Sequence, residues 1–168
     1  MDYPKDISNN ISFKEATKSY QAIKHGIDNV PNEEQLANMI SVAEKIFQPV
    51  REHFSVAIGV SSFFRHPEVN KAVGGAKASQ HMKGQAIDLD ADTYDKTVTV
   101  DGEEVLLTNK MIFDYIVANL EFDTILWEFG TDKNPNWVHV SYVEGNNRGR
   151  KLVAYKDNNK KTQYKFYS

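Results

Sequence analysis

The sequence predicts an α+β fold in which an antiparallel sheet carries helices packed on it. A strong amphipathic helical pattern lies early in the chain, and most β-rich segments follow it. Hairpin-type turns separate several of those segments, which is typical of antiparallel pairing. The 168 residues contain no internal repeat, low-complexity tract or Pro/Gly-rich linker. We therefore expect one domain over residues 1–168.

The first third of the chain contains the clearest predicted helix. Residues 1–31 are predicted to be a loop-rich lead-in with one short helical stretch over residues 13–24. Asn32 then fits an N-cap, and Gln35 stands in capping-box position three residues later. Apolar residues recur after it at three- and four-residue steps and predict a core-facing helix to about His53. They are Leu36, Met39, Ile40, Ala43, Ile46, Phe47 and Val50.

The rest of the chain is predicted to be mainly strands, with two further helices. A short helix is expected to begin at Pro67, because proline is favoured at the first helical position. A longer amphipathic helix covers residues 109–120, with Ile112, Tyr115, Ile116 and Leu120 as its buried stripe. Asp101-Gly102 is a strong hairpin signal between the strands on either side of it. Strands are predicted at residues 56–60, 85–90, 97–100, 103–107, 124–129, 137–142, 151–155 and 162–167.

Charge and composition exclude several classes of protein. Twenty basic and twenty-three acidic residues leave a net charge of −3, so we expect no nucleic-acid partner. The chain has no cysteine, which excludes a disulfide scaffold, a thiol nucleophile and a zinc site built on sulfur. No apolar run approaches the roughly 18 residues that a membrane-spanning helix needs. The first residues also lack the pattern of a signal peptide, and we expect no membrane insertion.

Two histidines and an aspartate are the candidate chemical groups. His81 lies just before the Gly84 turn, Asp88 lies in the strand after it, and His139 lies in a second strand beside Trp137. Two neutral imidazoles and one carboxylate form a common catalytic zinc set, with the fourth position left for water. Spacing alone does not select this interpretation. A strand histidine beside a tryptophan is more often a packed or surface residue than a ligand.

The sequence around these residues resembles a known family. The segments are Ser79-x-His81-x-x-Gly84-x-Ala86-x-Asp88 and Trp137-Val138-His139-Val140-Ser141. They are similar to the two motifs of the zinc D-Ala-D-Ala carboxypeptidase family. That family includes the L-alanyl-D-glutamate endopeptidases of phage endolysins, and its zinc site is shared with the Hedgehog signalling domain. The resemblance implies a Hedgehog/D,D-peptidase-like fold and one Zn²⁺ held by His81, Asp88 and His139. Asp90 is expected to be a neighbouring or solvated carboxylate rather than a ligand.

The resemblance also implies a general base, and we assign it to Glu128. Some relatives place a glutamate three residues before the second histidine, but this chain has Asn136 there, which cannot accept a proton. The shorter phage-type members instead resemble Glu128-Phe129-Gly130. The segment 131–136 is then an insertion, which a hairpin loop can absorb. A surface carboxylate at a strand end is the competing interpretation of Glu128, and Asp132 is a distant alternative base.

Arg65 is the second predicted catalytic residue. It ends Ser61-Ser62-Phe63-Phe64-Arg65, which resembles the family's Ser-Gly-Tyr-Arg segment, although the glycine and the tyrosine are both replaced. A guanidinium presents a planar fork of donors, so Arg65 is suited to a substrate carboxylate or a developing oxyanion. The competing interpretation is a surface arginine that precedes a helix.

The resemblance implies a zinc-dependent peptidase that hydrolyses a bond in the peptidoglycan stem peptide. The type is either a D-Ala-D-Ala carboxypeptidase or an L-Ala-D-Glu endopeptidase. We expect a monomer and, if the protein is encoded by a phage, the host cytoplasm until lysis as its location. The main alternative is a non-catalytic, Hedgehog-like zinc-binding module. A structural zinc protein is a weaker alternative, because structural sites usually supply four protein ligands.

Overall fold

A six-stranded sheet with helices packed on it organises the chain in the computed structural model, which describes residues 2–168 and confirms the α+β class. The described residues form ten strands and six α-helices. The helices are α1 (Phe13–Ala16), α2 (Tyr20–His25), α3 (Glu33–Val42), α4 (Gln48–Phe54), α5 (Pro67–Ala72) and α6 (Asn109–Asn119). The strands are β1 (Asp6–Ser8), β2 (Ile11–Ser12), β3 (Gly59–Ser62), β4 (Ala86–Asp90), β5 (Thr97–Val100), β6 (Glu103–Leu106), β7 (Thr124–Glu128), β8 (Trp137–Ser141), β9 (Arg150–Lys156) and β10 (Thr162–Phe166).

The main sheet has the strand order β10-β9-β7-β8-β4-β3. Neighbouring strands in this sheet pair antiparallel, as the sequence predicts, except that β7 and β9 are parallel. The parallel pair follows from the connectivity. Strand β8 reverses the direction of β7, and β9 reverses it again before joining the other edge of β7. The β5–β6 hairpin turns at the predicted Asp101-Gly102 but forms a separate two-stranded sheet.

The predicted helix over residues 32–53 is present, with one local change. Asn32 and Gln35 form the expected capping box at its start. Residues Ala43–Phe47 widen into a π-helical turn, in which the Gln48 N–H donates to the Ala43 carbonyl. Pro49 explains the change, because its ring lacks an N–H and clashes with the carbonyl four residues earlier in a regular α-helix. The helix continues as α4 to Phe54.

Two predictions near the amino terminus need correction. The lead-in contains a β1–β2 hairpin and two helices rather than mostly loop, and its Ile7 and Ile11 are buried in the core. Such short elements carry no periodicity that a sequence pattern can reveal, and their contacts with distant residues stabilise them. The strand predicted at residues 56–60 begins three residues later and covers Gly59–Ser62. The Phe64 N–H then donates to the Ala16 carbonyl of α1.

The core lies between one face of the main sheet and the helices. Alternate strand residues on this face are almost fully buried, including Ile87, Leu89, Val138, Val140, Ile125 and Trp127. Apolar residues of α3, α4 and α6 pack against them, among them Met39, Val50, Ile112, Phe113 and Ile116. The intervening strand residues must therefore face the other side of the sheet. None of the helices within residues 2–168 is long and apolar enough to cross a membrane.

Candidate active site

The opposite face of the sheet forms the floor of an open cleft. The register places Asp88 opposite His139, His139 opposite Leu126, and Leu126 beside Leu152. Directly paired residues point to the same face, so these side chains form one row across β4, β8, β7 and β9. The cleft above this row has a volume of about 610 Å³, and all five predicted site residues line it. They are Arg65, His81, Asp88, Glu128 and His139.

A tight turn held by α3 brings His81 to the cleft. His81 lies in a 3₁₀ turn over Gln80–Lys83, and Gly84 ends the turn with a φ of +69°. A Cβ at Gly84 would lie 2.3 Å from the Gln35 carbonyl oxygen, so only glycine fits this close approach. The side chains of Gln35 and Asn38 donate to the carbonyls of Met82 and Lys83, both at 2.9 Å. The strongest predicted helix thus fixes the turn that carries a candidate ligand.

Three donor atoms converge at one point of the cleft. His81 Nε2 lies 3.1 Å from Asp88 Oδ1 and 3.2 Å from His139 Nδ1, and His139 Nδ1 lies 2.9 Å from Asp88 Oδ1. Donors bound tetrahedrally to zinc at about 2.0–2.1 Å lie roughly 3.3 Å from one another. The triangle is therefore close to the size that a zinc ion requires. His81, Asp88 and His139 form the group that can hold a metal ion among residues 2–168.

Hydrogen bonding and burial give His81 and Asp88 the protonation states that a metal requires. His81 Nδ1 lies 2.6 Å from the Phe63 carbonyl oxygen, to which only a protonated Nδ1 can donate. This bond directs the Nε2 lone pair at the triangle. Burial lowers the pKa of His81, which keeps the imidazole neutral. Burial opposes ionisation of Asp88, but its polar surroundings outweigh burial and hold the Asp88 pKa well below its ordinary value. Metal binding requires a neutral imidazole and an ionised carboxylate.

Arg65 lies beside the triangle, on the edge formed by β3. Its Nη2 is 3.4 Å from Asp88 Oδ2, the carboxylate oxygen that does not face the histidines. Its Nε donates to Ser62 Oγ at 3.0 Å, and its Nη1 lies 3.4 Å from Asn70 Oδ1. Ser62, which replaces the glycine of the family segment, therefore orients the guanidinium. Arg65 is held next to the candidate metal centre, where it is only partly exposed.

Glu128 ends β7 on the same face of the sheet, two residues beyond the row that contains His139. Its side chain is only partly exposed. Burial raises the pKa of Glu128 from 4.5 to about 7, although nearby charges of both signs modify this effect. A carboxylate with a pKa near neutrality can accept and return a proton at physiological pH. The structure thus places a carboxylate with a suitable pKa in the cleft, and its role as the base stays a prediction.

The insertion over residues 131–136 is an ordered loop that leaves the strands in register. The Asn136 N–H donates to the Glu128 carbonyl at 3.0 Å, and the Thr131 N–H donates to the Asn134 carbonyl at 2.9 Å. Gly130 has a φ of +72°, and a Cβ there would lie 2.3 Å from the Asn134 carbonyl oxygen. Asp132 is exposed and lines a different surface groove. The structure therefore separates Asp132 from the cleft that contains Glu128.

Two carboxylates near the site have roles that the sequence did not reveal. Asp90 accepts hydrogen bonds from the Asp92 N–H and the Asn109 side chain, so it caps a turn rather than supporting a histidine. Asp123 is 1% exposed and accepts bonds from Arg148 and from Gln80, the residue before His81. Burial opposes its charge, but the Arg148 and Gln80 bonds keep the Asp123 pKa well below its ordinary value. No motif marks this residue, because its partners are distant in the sequence.

Comparison with known proteins supports the motif-based prediction. The family model for peptidase M15 matches residues 9–101. This segment contains Arg65, His81 and Asp88, whereas Glu128 and His139 lie after it. No curated protein matches the chain. The matched segment covers more than half of the 168 residues. The chain therefore belongs to the peptidase M15 family.

Proposed function

We propose that this protein is a zinc-dependent peptidase that hydrolyses a bond in the peptidoglycan stem peptide. The observation that carries the proposal is the convergence of His81, Asp88 and His139 in a cleft that also holds Glu128. The spacing of the three donor atoms, 2.9–3.2 Å, fits a zinc ion, and nitrogen and oxygen ligands suit this metal. Family membership supports peptidase chemistry. The peptidoglycan substrate and the zinc ion belong to the proposal.

Each site residue has a distinct part in the proposed hydrolysis. Zinc, when bound, supplies Lewis-acid chemistry that polarises a carbonyl and makes a water molecule more acidic. Glu128 accepts the proton of the attacking water and returns it to the leaving amine, for which a pKa near 7 is suitable. Arg65 donates hydrogen bonds to the oxyanion or to a nearby substrate carboxylate. The Phe63 carbonyl keeps His81 in the tautomer that binds metal.

The structure gives two reasons to favour an enzyme over a non-catalytic zinc module. Glu128 lines the same cleft as the three candidate ligands and is neither displaced nor fully exposed. Arg65 lies beside Asp88, so a group of donors suited to a developing oxyanion is next to the candidate metal centre. A purely structural zinc site is also disfavoured, because three ligands that open onto a cleft leave a coordination position for water.

Digestion of purified peptidoglycan with the zinc-loaded protein tests the proposal. Mass spectrometry of the fragments identifies the bond that is cut. Loss of a terminal alanine indicates a D-Ala-D-Ala carboxypeptidase, and separation of L-Ala from D-Glu indicates the phage-type endopeptidase. Glu128→Gln is the matched control, because it preserves the shape of the side chain and all three candidate ligands. Intact peptidoglycan after digestion with fully zinc-loaded protein would favour the non-catalytic module.

A further inference from the structure

A second arginine lines the cleft on the side away from Arg65. Arg150 begins β9 and lies beside Thr124 of β7, on the same face as the row that contains His139. Two inter-strand spacings separate β9 from β8, and Arg150 lies two residues along the strand from that row. From strand geometry its backbone is therefore about 12 Å from that of His139. The cleft thus has one guanidinium on each side of the candidate metal centre.

Neighbouring residues fix the orientation of Arg150 without neutralising its charge. Its Nε and Nη2 donate to Thr124 Oγ1, at 3.2 and 3.1 Å. The Thr124 hydroxyl in turn donates to Asp123 Oδ2 at 3.1 Å, so its lone pairs face the guanidinium. The Asp123 carboxylate is already paired with Arg148. None of the ion pairs among residues 2–168 involves Arg150.

Arg150 differs from the other arginines of this region in the type of group that its guanidinium contacts. Arg65 and Arg148 each have a carboxylate partner within the chain. Arg150 has instead a neutral hydroxyl, which holds the guanidinium plane and leaves the Nη1 donors for another acceptor. A planar fork of donors is suited to a carboxylate, which it can bind through two parallel hydrogen bonds. An oriented cation without a protein anion, in a substrate-sized cleft, has the properties of a carboxylate-binding group.

We propose that Arg150, oriented by Thr124, binds a carboxylate of the substrate on the β9 side of the cleft. This inference rests on the proposed function and extends it to substrate selection. The arginine side chain reaches about 6 Å, and an extended peptide advances about 3.3 Å per residue. The bound carboxylate is then within about two residues of the bond that is cut. Stem peptides carry carboxylates on D-Glu and at the terminal D-Ala, and Arg150 selects a peptide in which one of them is free.

Binding measurements with three synthetic stem pentapeptides test this inference without relying on turnover. One peptide has both carboxylates free, and each of the others has one of the two converted to a carboxamide. Their dissociation constants are measured by calorimetry for zinc-loaded Glu128→Gln, in which the proposed base is absent and the peptide is consumed far more slowly than by wild type. We expect one of the two amidations to weaken binding by roughly 5- to 20-fold, between the values for an exposed and a desolvated ion pair.

The same measurements on Arg150→Gln in that background identify the residue responsible. We expect that amidation to leave the dissociation constant of Arg150→Gln unchanged. A double-mutant cycle would then show that Arg150 and the substrate carboxylate are energetically coupled. Lys151→Gln is the matched control. It removes the same charge from the next residue of β9, which pairs with Ile125 and faces the other side of the sheet. Amidation of the peptide should weaken binding to Lys151→Gln by the same factor as binding to the parent protein, zinc-loaded Glu128→Gln.

The outcomes separate this inference from the proposed function. If Arg150→Gln keeps the full sensitivity to both amidations, or if neither amidation affects the parent protein, Arg150 does not bind a substrate carboxylate. The proposed function is decided separately by hydrolysis of peptidoglycan with the wild-type protein. Initial rates of wild type and Arg150→Gln provide a second readout. The loss is expected mainly in KM, because the proposed contact is remote from the reacting atoms.

Discussion

Replacement of Glu128 by glutamine tests the environment of the proposed base directly. Burial raises the pKa of this carboxyl from 4.5 to about 7, so between these pH values the folded protein holds a proton that the unfolded chain has released. The free energy of unfolding must then fall as the pH rises through this window. The difference between about 7 and 4.5, at about 1.4 kcal/mol per pH unit, corresponds to about 3 kcal/mol. Because Glu128 is partly exposed, this value is an upper bound.

Glutamine removes this penalty because it has no charge to desolvate. Metal-free Glu128→Gln should have nearly the same stability as wild type at pH 4 and should be more stable by up to about 3 kcal/mol at pH 8. Urea unfolding of both proteins in chelator, followed by circular dichroism at several pH values, measures the difference. Asp132→Asn is the matched control, because it neutralises an exposed carboxylate of the adjacent loop. Its free energy of unfolding relative to wild type should stay constant from pH 4 to pH 8. A constant difference between wild type and Glu128→Gln from pH 4 to pH 8 would refute the desolvation argument.

The same variant tests the catalytic role. Glu128→Gln should keep the fold and the bound zinc, since no proposed ligand changes, while turnover falls by roughly 10²- to 10⁴-fold. Asn136→Ala and Asp132→Asn should hydrolyse peptidoglycan at nearly the wild-type rate. Normal turnover by Glu128→Gln, together with loss of activity in Asp132→Asn, would place the base in the inserted loop and would show that the assignment is wrong.

Three further predictions follow from the metal centre and its support. Protein supplemented with zinc should contain one equivalent per chain by elemental analysis. His139→Ala should lose it, and unchanged metal in that variant would contradict the ligand assignment. The metal-free protein should remain folded by circular dichroism, because His81, Asp88 and His139 are not part of the hydrophobic core. Zinc should raise its melting temperature by mass action. Loss of secondary structure on chelation would instead indicate a structural site. Gly84→Ala should lower the stability by about 2 kcal/mol or more and weaken zinc binding, because the turn has a positive φ and abuts the Gln35 carbonyl. Wild-type stability and zinc affinity in Gly84→Ala would show that this turn does not depend on glycine.

Sequence patterns predicted the parts of the fold that rest on local periodicity. The helix that begins at the Asn32 cap, the Asp101-Gly102 hairpin and the later strands were recognisable because their signals lie within a few neighbouring residues. The amino-terminal hairpin was missed because its two strands contain only three and two residues. Long-range packing of Ile7 and Ile11 stabilises it, and no local pattern records that packing.

For the site, the sequence determined the chemical types and the order of the candidate groups. Histidine and aspartate around a glycine turn, with a second histidine in a later strand, were compatible with a nitrogen and oxygen metal site, and the family resemblance of the two motifs selected that interpretation. Only the tertiary structure brought the donor atoms of His81, Asp88 and His139 to within 3.2 Å of one another. Their convergence depends on the register of β4 against β8 and on the contact between the Gly84 turn and α3.

Only the tertiary structure revealed the position of Arg150 in the cleft and the raised pKa of Glu128. Arg150 is one of twenty basic residues in the sequence, and nothing near it in the chain distinguishes it. Its place opposite Arg65 arises because β9 joins the far edge of β7, a pairing that no local signal specifies. The raised pKa of Glu128 likewise depends on burial by residues distant in the sequence. The sequence determines which chemical groups the chain contains. Strand order and burial determine which of these groups lie close together and how far each pKa is shifted.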